Sequence, residues 1–174
     1  MKIQLVLLFF IGTIHSFFAQ VTFDTLENQE TITVFSVNKK MFDLMSKVKM
    51  DTSNQEVAQY LKLIQKLDQL KVFNTTNTKA AAEIKNTFEH YSLANGLEEL
   101  MRTKEEGKNL KLMTKSAGSE TQIKKLLLFI ETGGKNSETV LMSITGNFDL
   151  NEIYLLTDKL KIPGGSDLKK ATKK

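Results

Sequence analysis

The chain has no cysteine, no tryptophan, a single proline (Pro163) and two histidines, His15 and His90. Each shortage removes a kind of chemistry. Without cysteine there is no disulfide, no thiol nucleophile, no thiolate metal site and no lipid-bearing cysteine. Without tryptophan there is no indole platform for stacking sugars. With His15 in a leader segment, a Ser–His–Asp triad would have only His90 as its base. Charge of one sign is scarce too: 24 Lys and Arg face 20 Asp and Glu, a formal net charge of +4. Nucleic-acid binding calls for a basic face with interleaved aromatics. The basic cluster here is the tail, Lys169, Lys170, Lys173 and Lys174, which reads as a solvated, frayed terminus. No nucleic-acid partner is expected.

What is present begins at the N-terminus. Met1 and Lys2 give a short positive start, Ile3 to Ile14 is apolar apart from Gln4, Gly12 and Thr13, and Ala19 precedes Gln20. That order predicts a secretory signal over residues 1–19, cut near Ala19/Gln20. The run is too short and interrupted to anchor a mature protein, and no second run could span a bilayer. The expected address is periplasmic or secreted. Residues 20–30 are polar and read as a flexible lead-in, 31–168 as one domain, and 169–174 as a basic tail.

Within that domain the period of apolar residues sets the elements. Thr31–Val37 is β-branched and predicts a strand. Lys39–Val48 predicts a short helix, with Met41, Phe42, Met45 and Val48 at helical steps. Glu56–Leu67 is an amphipathic helix, Leu70–Thr75 a strand, and Lys79–Ala94 a long helix capped by Asn77 or Thr78 and stopped at Asn95-Gly96. Two hairpins follow. Leu97–Lys104 and Asn109–Lys115 flank a turn at Gly107, and Ile123–Thr132 and Thr139–Gly146 flank Gly133-Gly134. Ser119 and Gln122 have capping-box spacing, which keeps a helix open as the alternative for Ile123–Thr132. Asp149 and Glu152 open a helix over Leu150–Leu160, ended by Pro163-Gly164-Gly165. The order implies an α+β domain in two layers, a largely antiparallel sheet with helices packed mainly on one face.

No constellation carries catalysis. His90 has no ligand at i±4, and neither Ser143 nor Ser119 lies in a Gly-x-Ser-x-Gly elbow. Ser143 shares a strand face with Leu141 and Thr145. Glu98-Glu99 and Glu105-Glu106 are adjacent pairs, which strand geometry sends to opposite faces rather than across a cleft. Asn147, Asp149, Asn151 and Glu152 lack the twelve-residue frame of a calcium loop. The glycine pairs lack the phosphate-loop frame. No cofactor, metal or catalytic residue is expected. The Met-rich strip Met41, Phe42 and Met45, with Ile162, Pro163 and Leu168, is the candidate contact surface.

Three segments carry a family resemblance: Leu97–Arg102, Thr139–Asp149, and Ile162–Gly165 before Leu168-Lys169-Lys170. With the sequence around them, from about Thr31 to Lys170, the chain resembles the family named domain of unknown function 4252. The resemblance implies a small exported protein of Bacteroidetes-type bacteria, with a link to envelope response and no assigned activity. The expectation is a non-catalytic binding or interaction module of the cell envelope. Its partner would be an envelope protein or an apolar ligand, and the oligomeric state is open. The alternatives are a hydrolase built on Ser143 or His90 and a structural envelope component.

Overall fold

The computed structural model describes residues 22–50, 53–105, 107–119, 121–134, 137–161 and 163–172. The signal segment and Ile162 lie outside the described residues, as do Glu106, Lys173 and Lys174. A six-stranded sheet, entirely antiparallel, forms the middle of the fold in the order β1-β2-β6-β5-β4-β3. The strands are β1 (Thr33–Asn38), β2 (Leu67–Thr75), β3 (Glu98–Glu105), β4 (Lys108–Ser116), β5 (Gln122–Thr132) and β6 (Thr139–Asp149). The helices are α1 (Asp24–Glu27), α2 (Lys39–Ser46), α3 (Gln55–Gln65), α4 (Thr78–Ala94), α5 (Tyr154–Leu160) and α6 (Gly165–Thr172). The protein is therefore α+β, as expected. Ile123–Thr132 is a strand: the Ser119 hydroxyl accepts from the Gln122 amide at 3.2 Å and closes the β4–β5 turn instead of starting a helix.

The caps explain several boundaries. Asn38, Asn54 and Asn77 each accept a backbone amide of the first turn, starting α2, α3 and α4. Asp149 does the same, but for a single 3-10 turn over Leu150–Glu152. The continuous helix expected over Leu150–Leu160 is thus broken at Ile153, and α5 is ended by Lys161 in the left-handed conformation.

Helices cover both faces of the sheet, so the two-layer expectation gives way to three layers. On one face Leu70, Val72, Leu126, Leu128, Met142 and Ile144 meet the side chains of α2, α3, α5 and α6. On the other, Phe73, Leu127, Phe129 and Leu141 meet Ile84 and Phe88 of α4, with Phe23 and Leu26 at its flank. The physical reason is in the central strands. Leu126–Ile130 and Val140–Ile144 are buried at every position, and a strand apolar on both sides needs cover on both sides. Among the described residues, four of the six helices share one face, and α4, which links β2 to β3, crosses the other.

The segment after α5 also departs from expectation. Gly164 has φ +81, and a Cβ there would meet Ile130 Cδ1 at 2.9 Å. The chain presses onto the sheet at this point and then forms α6, whose Leu168 is fully buried. Lys108 pairs with Asp167, and Lys169 with Asp158. Lys169 and Lys170 thus belong to a docked helix, not to a frayed tail.

Candidate functional site

The residues that could carry chemistry are held apart. His90 is exposed on α4, whereas Ser143 is buried within β6. Ser119 is committed to its turn. Of the paired acids, Glu99 forms a two-point ion pair with Arg102, Nε to Oε1 at 3.0 Å. The hydrogen bond from that guanidinium holds the Glu99 carboxyl below the usual glutamate range, and Arg102 is raised in return. A carboxylate stabilised in its charged form and open to water is a poor general acid. Glu98 and Glu105 are exposed, and Glu106 lies outside the described residues.

The calcium-like run resolves into structural bonds. Asp149 caps the 3-10 turn and accepts from Thr121 Oγ1 at 3.0 Å. Glu152 pairs with Lys66 at 3.3 Å, and the Asn147 amide donates to the Lys66 carbonyl at 2.9 Å. Among the described residues no group of three His, Cys, Asp or Glu side chains could hold a metal ion.

An open cleft of about 650 Å³ lies where β2, β4, β5 and β6 approach one another, lined by Lys66, Lys115, Lys124 and Lys125 with Asp68. Its charge has a structural use. Lys115 and Lys125 are direct cross-strand neighbours, an arrangement that costs stability by itself. The C-terminal end of α4 answers it. Lys115 Nζ donates to the Asn95 carbonyl at 2.9 Å, and Lys125 Nζ to Asn95 Oδ1 and Tyr91 Oη, each at 2.8 Å. Two cations therefore meet the negative pole of a long helix and fasten it to the sheet.

The predicted contact residues divide sharply. Phe42 and Leu168 are fully buried, so both leave the candidate surface: they face the sheet, where an aromatic and a leucine fill the core. Met45 is half-buried against the same cluster. Met41 is 50% exposed, and Pro163 is exposed. Ile162 lies outside the described residues. Leu44, one turn along α2 from Met41, is 54% exposed, and Val48, just past the end of the helix, is 56% exposed. The i, i+3, i+7 spacing of Met41, Leu44 and Val48 was the available signal. Of the three residues expected there, Met41 is exposed, Met45 is half-buried and Phe42 faces the sheet.

The family described as a domain of unknown function, DUF4252, matches residues 24–156. The chain belongs to that family. The DUF4252 match begins at α1 and ends inside α5, so α6 and the expected Ile162–Lys170 motif lie beyond it. No curated protein and no solved structure matches the chain. Among the described residues no helix is long and apolar enough to cross a membrane.

Proposed function

We propose that this member of the DUF4252 family is an exported cell-envelope protein that works by binding another protein. The outer face of α2 would receive an apolar segment of that partner. One observation carries the reading: Met41 and Leu44 on α2, and Val48 and Met50 just beyond it, are 45–56% exposed. Isolated exposed apolar residues are ordinary, but several close together in ten residues of chain, on a helix and just past its end, mark a contact surface. Methionine suits such a surface because its unbranched side chain adapts to varied partners. The scattering of His90, Ser143 and the paired acids agrees with binding rather than catalysis.

The test is a photo-reactive amino acid placed at Leu44 in the native host, with Glu89 on the opposite layer as the control site. Defined adducts from Leu44 and none from Glu89, in the periplasmic or secreted fraction, are expected. Identical patterns from both sites, or an uncut chain retained in the cytosol, would refute the proposal. His90→Ala should leave any phenotype of the gene unchanged.

A further inference from the structure

The sheet ends in two open edges with opposite character. β3 carries Glu98, Glu99, Arg102, Lys104 and Glu105, and charge along an edge deters another strand from pairing with it. β1 has no charged residue from Thr33 to Asn38. Thr33, Phe35, Ser36 and Asn38 are exposed, and among the described residues β1 pairs on one side only, with β2. Its other side is a row of backbone N–H and C=O groups, which an extended chain can satisfy in register.

The edge adjoins the α2 surface. Phe35, 40% exposed, lies on the same side of β1 as buried Val37, the side that α2 covers. α2 packs on β1, β2 and α3, while α3 packs on α5 and α5 on α6. That sequence of contacts makes α2 the outermost helix of its layer at the β1 margin. Charge then narrows the occupant. Between Thr33 and Met50 the acid is Asp43, and Lys39 pairs with it at 2.8 Å. Lys40, Lys47 and Lys49 are exposed on α2 and just beyond it.

We infer that β1 accepts an extended segment of the partner protein as a seventh strand. Alternate apolar side chains of that segment lie between Phe35 and the Met41–Leu44–Val48 stripe, and acidic residues at one end meet the three lysines. This deepens the binding role proposed above and rests on it. A second copy of this chain fits less well, because it would set one lysine-rich margin against another.

The probe is a synthetic peptide, acetyl-Thr-Val-Thr-Val-Thr-Val-Glu-Glu-amide, titrated into isotope-labelled protein starting at Gln20 and followed by amide resonances. Shifts at Thr33–Asn38 and Met41–Val48 are expected. The same peptide with alternate backbone nitrogens methylated should bind at least about ten-fold more weakly, and so should one with Lys in place of Glu. Phe35→Glu should weaken binding equally, with a melting temperature within about 2 °C of the parent. If the methylated peptide binds equally and shifts only α2, strand addition is wrong while binding at α2 stands. Equal binding of the lysine peptide, or no shift in β1 with any peptide, overturns the inference. A sedimenting dimer with protected β1 amides also overturns it and assigns the edge to a second copy.

Discussion

Gly146→Ala should be among the most damaging single-methyl additions in this protein. Gly146 lies in β6 opposite Leu67, next to the register shift between Leu67 and Gln69. A Cβ there would stand 2.3 Å from the Lys66 carbonyl oxygen and 2.8 Å from Leu67 Cα. Ordinary contact starts near 3.4 Å, and both obstacles are backbone, so no side chain can rotate away. β2 and β6 would have to separate locally by about 1 Å, at an overpacking cost of about 1–3 kcal/mol. The Asn147 amide to Lys66 carbonyl bond, 2.9 Å, would be strained or lost, adding about 1 kcal/mol. At φ +154 a side chain adds a further ~1–2 kcal/mol of conformational strain. The total is about 3–6 kcal/mol, a large part of the ~5–15 kcal/mol of a whole domain. Urea titration followed by far-ultraviolet circular dichroism measures it directly. At about 2–4 °C per kcal/mol, the melting temperature should fall by roughly 6–24 °C. Gly134→Ala is the control, since it has positive φ but nothing within 4 Å. It should lose only about 1–2 kcal/mol. Equal losses at the two sites would refute the crowding argument.

Three further outcomes follow from the same geometry. Leu168→Ala should destabilise by about 2–5 kcal/mol by chemical denaturation, whereas Met41→Ala should change stability by less than about 0.5 kcal/mol. Glu99 should titrate below the ordinary glutamate range by carboxyl chemical shift, and Arg102→Ala should return it upward. Because the folded value is depressed, the Glu99–Arg102 contribution is present above the unfolded pKa and is lost as pH falls through the folded one. Lys125→Met should leave Tyr91 Oη and Asn95 Oδ1 without their shared donor. Amide exchange should then quicken first in the last turns of α4.

Most of the strand and helix order was legible, because capping asparagines and apolar periods act over a few residues. Asn77 starts α4 through its own side chain, and Gly107 sits in the β3–β4 turn with φ +80. What was not legible depends on distant partners. The second helical layer could have been inferred from Leu126–Ile130 and Val140–Ile144, since runs without alternation imply cover on both faces. α6 was hidden because its deep anchor is Leu168, set among charged residues that look solvated until Asp158 of α5 meets Lys169 and Lys108 of β4 meets Asp167. Of the residues expected on the outside of α2, Met41 is exposed whereas Phe42 faces the sheet. Met, Phe and Leu alternate around α2 so closely that only its packing on β2 and α3 decides which stripe turns inward.

The pairing of β2 with β6 bears on how the protein is made. Thr75 lies opposite Thr139, the first residue of β6, so a ribosome must deliver the β3–β4–β5 meander before the sheet can close. Until then β2 has β1 and α2 beside it, but its β6-facing edge has no strand to pair with. Sheets closed by such distant pairs fold slowly. A chaperone that shields Leu67–Thr75 during synthesis should therefore raise the yield of folded protein more than one that shields the locally paired hairpins.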